Sequence, residues 1–119
     1  MDLISRDELE EKLERGDDIK LVMVLEEWHF RAMHIPGSIQ IPATRIGSSG
    51  LDLQDEIIVY CAHEDCPASM VAYNRLKSLG YGKVRRYAGG VFEWEQAGYP
   101  VEGDMVNSRN LGNLGNGNP

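Results

Sequence analysis

Ile57-Ile58-Val59-Tyr60-Cys61 is the run that decides the fold. An uninterrupted series of β-branched and aromatic residues suits a strand covered on both faces, as at the centre of a parallel sheet. The strand delivers Cys61 at its C-terminal end. Ala62-His63-Glu64-Asp65-Cys66 then reads as a loop, and Pro67-Ala68 opens a helix predicted over residues 67–79. Ala72, Leu76 and Leu79 form its apolar stripe, and Gly80 ends it.

Upstream, Ser5-Arg6-Asp7-Glu8 has the form of a capping box, which predicts a helix to about residue 15 with Gly16 as its stop. Residues 19–25 are an apolar run long enough for a buried strand. Residues 26–33 fit a turn or two of helix, broken by His34-Ile35-Pro36-Gly37, and a short strand is expected over residues 38–41. Residues 43–55 give a weak signal, with a loop at Gly47-Ser48-Ser49-Gly50. Downstream, residues 84–87 predict a strand, Ala88-Gly89-Gly90 a tight turn, and residues 91–97 a final short helix before Gly98. Strands alternating with helices at this spacing define an α/β fold with an open parallel sheet flanked by helices.

The chain of 119 residues is enough for one hydrophobic core, so a single domain over residues 1–103 is expected. Residues 104–119 are dominated by Asn and Gly and read as a flexible tail. A net charge of −7 repels phosphate backbones and anionic lipid, so neither nucleic acid nor a membrane surface is an expected partner. The acidic N-terminal stretch shows neither a signal peptide nor a membrane span, and a cytoplasmic protein is expected.

Chemistry concentrates at the loop after the central strand. In parallel α/β sheets, ligands bind where strand C-termini meet helix N-termini. The unpaired amides of the helix that follows Cys61 would stabilise a thiolate, so a lowered thiol pKa is expected. On position alone two readings stand: a reactive thiol, or a small buried residue closing a strand. Cys66 has three readings: a helix-start residue, a resolving thiol, or half of a reversible disulfide. His63 either donates to the site or faces solvent. Arg85 and Arg86 either lend charge to its mouth or line a solvated strand edge. His34 is read as structural, fixing a turn through its ring. Trp28 and Trp94 are expected to pack, one over the first short helix and one under the last. Cys61, His63 and Cys66 fit no established zinc-ligand spacing, so no metal or other cofactor is expected.

Three ordered motifs over residues 3–103 identify a resemblance. His34-Ile35-Pro36-Gly37-Ser38-Ile39 resembles the HIPGA signature of the rhodanese family. Val59-Tyr60-Cys61 with its loop, helix and Gly80-Tyr81 resembles that family's active-site strand and helix. Tyr87-Ala88-Gly89-Gly90-Val91-Phe92-Glu93-Trp94, followed by Ala97-Gly98-Tyr99-Pro100-Val101, is similar to its closing pattern. The resemblance is nearest to the subgroup with a CxxxxC loop. It implies a rhodanese-like open parallel sheet and a sulfurtransferase or persulfide carrier moving sulfane sulfur through Cys61. It also implies a small sulfur donor, a thiol acceptor and room for a protein partner. The binding loop would comprise Ala62, His63, Glu64, Asp65, Cys66, Pro67 and Ala68, with Cys66 the candidate resolving thiol.

The departures bear on the donor. The loop is longer than the family pattern and contains no arginine, lysine or glycine, while Glu64 and Asp65 add negative charge. Thiosulfate is therefore an unfavourable donor. Where the family often has Asp-Val-Arg, this chain has Met23-Val24-Leu25, and Met33 stands where a glycine often precedes the histidine. The alternative is a non-catalytic rhodanese-like binding or regulatory module with a redox-sensitive Cys61/Cys66 pair. A phosphatase or arsenate reductase of related fold needs an arginine closing the cysteine loop, where Pro67 and Ala68 stand.

Overall fold

A computed structural model describes residues 1–106. Its elements in chain order are α1 (Arg6–Arg15), β1 (Ile19–Met23), α2 (Glu27–Ala32), β2 (Ile39–Gln40), a 3-10 helix (Ala43–Ser48), β3 (Glu56–Tyr60), α3 (Ala68–Ser78), β4 (Val84–Tyr87) and α4 (Gly90–Gln96). The four strands form one parallel sheet in the order β2-β1-β3-β4. The predicted run over residues 57–60 is an inner strand, paired with β1 on one side and β4 on the other.

Side-chain alternation along β3 sorts the core into two clusters. Ile58 and Tyr60 pack with Leu9 of α1 and with Val91 and Trp94 of α4. Ile57, Val59 and Cys61 pack with Ala72 and Leu76 of α3 and with Ile46 of the 3-10 helix. Both faces of β3 are therefore covered, which is why its sequence is apolar without alternation. Each fully buried large aliphatic side chain contributes about 1.5–3 kcal/mol, and removing one from β3 would open a cavity against a helix.

Local signals account for the ends of the elements. Ser5 Oγ accepts the Glu8 amide at 3.1 Å, and Gly16 closes α1 in the left-handed region at φ 75°. Only half of the predicted capping box forms, because the Glu8 carboxylate pairs with Arg85. The run over residues 19–25 ends as a strand at Met23, yet Val24 stays buried, with its amide on the Tyr60 carbonyl at 3.1 Å. The weak stretch after Pro42 contains the 3-10 helix, anchored by buried Ile46.

Trp28 overturns one expectation. It is 67% exposed and stacks on His29 instead of packing into the core, because α2 is a short surface helix with no buried residue. Trp94 lies where expected, buried between Tyr87 and Tyr99, with its indole N–H donated to the Pro100 carbonyl at 2.9 Å. Residues 104–106 form a helical turn, and Val106 packs against the α1 and α4 side of the core. The remainder of the stretch read as a flexible tail, residues 107–119, lies outside the described residues. Among the described residues no helix is long and apolar enough to cross a membrane.

Candidate active site

The strand alternation that buries Ile57 and Val59 also turns Cys61 toward α3, leaving the residue 1% exposed. Its Sγ accepts the Ser69 amide at 3.1 Å, so the first turn of α3 presents an unpaired N–H to the sulfur as expected. The Cys61 thiol in turn points at the Cys66 carbonyl, 3.8 Å away. Within the loop the Cys66 amide donates to the His63 carbonyl at 3.2 Å, folding Cys66 back beside Cys61. Both cysteines are free thiols, Cys66 half-buried.

The expected lowering of the thiol pKa is overturned. Burial pushes the Cys61 thiol up to about 12, Cys66 adds to the rise, and the hydrogen bonds from Ser69 oppose it. A helix amide favours the thiolate, but removal from water disfavours it more strongly in this closed loop.

A second helix holds the loop from the other side. At the start of α4 the Val91 amide donates to the Cys61 carbonyl at 3.0 Å and the Phe92 amide to the Ala62 carbonyl at 2.9 Å. This approach requires Gly90. Its φ is 75°, and a Cβ there would lie 2.6 Å from the carbonyl carbon and oxygen of Ala62. The predicted Gly-Gly turn is thus the contact surface between α4 and the loop.

The two arginines of β4 separate by alternation. Arg85 extends toward α1, meeting both carboxylate oxygens of Glu8 at 2.7 and 3.0 Å and the Leu3 carbonyl at 2.9 Å. Arg86 turns to the α3 side, where it is 7% exposed, with its Nε on Ser69 Oγ at 2.7 Å and an Nη2 on the Glu64 carbonyl at 3.1 Å. Neither sequence reading of Arg86, mouth charge or solvated edge, anticipated this buried clamp. The available signal was strand parity: Arg86 shares a face with Val84, and its register partner is Val59. Ser69 was likewise missed as a donor to the sulfur, although it stands in the first turn of the predicted helix.

The other loop residues point outward. His63, Glu64 and Asp65 are exposed, and the His63 ring lies 6.1 Å from that of Phe92. Glu64 lines a cleft of mixed character, about 650 Å³, shared with Ser5, Arg6 and Glu93. Ala62 and His63 border an apolar one of about 340 Å³ with Trp28, Met33, Phe92 and Met105. Cys61 lines neither cleft. Pro67 precedes the first residue of α3, Ala68. Among the described residues no three His, Cys, Asp or Glu side chains converge as metal ligands would.

The histidine turn supports this arrangement from below. The His34 ring contacts the Phe30 carbonyl through Nδ1 at 2.7 Å and Glu102 through Nε2 at 3.2 Å. The hydroxyl of Tyr60, the residue before Cys61, accepts the Ile35 amide at 3.0 Å and lies 2.8 Å from Ser38 Oγ. The turn and β3 are therefore one hydrogen-bonded unit.

Fold, motifs and loop together place the chain in the rhodanese-like domain family, to which it belongs: residues 5–97 match the model of the rhodanese-like domain. The BH2092 protein from Bacillus halodurans superposes with a TM-score of 0.79 at 25% identity, over 87% of this chain and 78% of that one. The human single-domain sulfurtransferase TSTD1 superposes with a TM-score of 0.73 at 26% identity, over 81% of this chain and 96% of that one. The HTH-type transcriptional regulator Rv0324 of Mycobacterium tuberculosis is 33% identical over 103 residues, which make up 85% of this chain and 45% of that protein. The chain thus spans less than half the length of that curated relative.

Proposed function

We propose that the domain is a sulfurtransferase or persulfide carrier in which Cys61 takes up sulfane sulfur from a small donor and passes it to a thiol acceptor. The observation that carries this reading is the Ser69 amide on Cys61 Sγ at the junction of β3 and α3. A sulfur at that position, once anionic, meets a donor already in place. In the forward step the Cys61 thiolate attacks the terminal sulfur of a persulfide R–S–SH. The new bond forms between the Cys61 sulfur and that sulfur, the bond to R–S breaks, and R–S leaves as the thiolate. An acceptor thiolate then attacks the outer sulfur and regenerates Cys61. The cytoplasm, where thiols stay reduced, is the compartment we assign to this chemistry.

The burial of Cys61 makes loop opening the step that precedes attack, since a thiol pushed up to about 12 is almost wholly protonated at neutral pH. The exposed Glu64 and Asp65 would meet an approaching thiosulfate dianion with like charge. A low-molecular-weight persulfide is the donor favoured here.

The test is intact mass spectrometry after incubation with glutathione persulfide, mercaptopyruvate or thiosulfate. Wild type should gain one cyanide-labile sulfur from the persulfide and little from thiosulfate, and Cys61→Ser should gain none. Equal uptake by both proteins would remove Cys61 from the chemistry.

A second reading, a redox-sensitive regulatory module, has its own observation: Cys66 is folded back so that its carbonyl faces the Cys61 thiol. There the Cys66 thiolate would attack the inner sulfur of a Cys61 persulfide, forming the Cys61–Cys66 disulfide and releasing hydrosulfide. Under graded peroxide or persulfide this reading expects a dithiothreitol-reversible link in wild type that Cys66→Ser lacks. Equal irreversible oxidation of the two proteins, with no link, would exclude it.

A further inference from the structure

The loop around Cys61 contains no cation of its own, yet the fold draws one beneath it. Arg86 is 7% exposed, and both groups it meets are neutral: Ser69 Oγ at 2.7 Å and the Glu64 carbonyl at 3.1 Å. The ion pairs of the described residues engage Arg6, Arg15, Arg31 and Arg85, but not Arg86. A guanidinium held away from water without a carboxylate is costly to the fold. An anion forming beside it would offset that cost.

The hydrogen-bond directions show where that anion would sit. Arg86 Nε–H is held on Ser69 Oγ at 2.7 Å, on the same residue whose amide donates to the Cys61 sulfur at 3.1 Å. Side-chain and backbone hydrogen bonds from Ser69 both pull the Cys61 thiol toward ionisation. The titratable and charged groups around this sulfur are few. Cys66 faces it from the loop and opposes ionisation. Tyr73 of α3 and Tyr81 share its core cluster. His63, Glu64 and Asp65 turn to solvent, and Arg86 is the cation from β4.

We propose that Arg86 is a positioning residue of this site, acting through Ser69 to hold an anionic sulfur, thiolate or persulfide, on Cys61. It supplies from the neighbouring strand the positive charge that the loop lacks. The purpose assigned to it rests on the sulfur chemistry proposed above, whereas its effect on Cys61 is measurable without any sulfur donor.

The two roles open to Arg86 predict opposite signs. As a mere latch on the Glu64 carbonyl, its loss would loosen the loop and speed alkylation of Cys61. As the charge behind Ser69, its loss lowers the thiolate fraction and slows alkylation. The experiment compares iodoacetamide rates of Cys61 at several pH values below its titration, in a Cys66→Ser background, for Arg86→Met, Arg86→Lys and Ser69→Ala, with melting temperature followed in parallel. At an effective dielectric near 20, loss of a nearby unit charge is worth at least about one pKa unit, so Arg86→Met should slow the reaction at least about tenfold at each pH. Arg86→Lys should recover part of that loss, and Ser69→Ala should fall between wild type and Arg86→Met. An unchanged or faster rate in Arg86→Met overturns the proposal. Should that variant fail to fold, an unchanged or faster rate in Ser69→Ala does the same. Sulfur uptake by wild type, read separately by intact mass, reports on the sulfur chemistry alone, so the two ideas fail independently.

Discussion

Replacing Gly90 by alanine should cost both stability and the order of the Cys61 loop. The left-handed conformation at φ 75° costs a non-glycine residue about 1–2 kcal/mol. The lower entropy of unfolded alanine returns about 0.4–1 kcal/mol. The larger effect is steric, because the new Cβ would stand 2.6 Å from the Ala62 carbonyl carbon and oxygen and 2.7 Å from the His63 nitrogen. These are backbone atoms, so either α4 or the loop must retreat. The bonds from Val91 to the Cys61 carbonyl and from Phe92 to the Ala62 carbonyl, at 3.0 and 2.9 Å, then lengthen or break. At about 1 kcal/mol net for each hydrogen bond, the total is about 3 kcal/mol. Urea unfolding with an unchanged m-value measures it, and iodoacetamide should reach Cys61 faster than in wild type. A loss below about 1 kcal/mol with an unchanged alkylation rate would show that α4 does not brace the loop.

Two further outcomes follow from the buried hydroxyl and thiol. Tyr60→Phe removes the acceptor of the Ile35 amide and the partner of Ser38 Oγ, and should cost about 1–3 kcal/mol in chemical denaturation, the range for stranding a buried polar group; a neutral substitution would mean that water replaces the phenol. Burial raises both Tyr60 and Cys61 to about 12, so the fold favours their protonated forms. That stability is fully present below their unfolded values, near 10 and 8.5, and is lost as pH rises through the folded ones. Melting temperature should therefore fall between about pH 9 and 12, less steeply in Cys61→Ala, and identical slopes in the two proteins would refute this assignment.

Much of the architecture was legible because a buried parallel strand needs an unbroken apolar run, and Ile57-Ile58-Val59-Tyr60 is one. The placement of Cys61 beside the α3 N-terminus was legible for the same reason. Its protonation was not, since the sign depends on whether desolvation or the Ser69 donors dominate, and burial follows from how the loop closes. Arg86 was named as a source of charge, but its burial was not legible because arginine is ordinarily a surface residue, and its two neutral acceptors come from distant parts of the sequence. The 3-10 helix Ala43–Ser48 has Ile46 as its buried residue, too little periodicity to read. Trp28 misled by its size: on α2 there is no interior for it to enter.

β4 is the last strand of the sheet, and its outer side would offer unpaired amides and carbonyls to any other extended chain. Residues 2–4 occupy that side: the Arg86 amide bonds the Asp2 carbonyl at 2.8 Å, and the Ile4 amide bonds the Arg86 carbonyl at 3.0 Å. The short segment thus serves as a guard against edge-to-edge self-association. It grips the backbone of the very residue whose side chain reaches under Cys61, so a chain trimmed of its first four residues should become both stickier and looser at the sulfur.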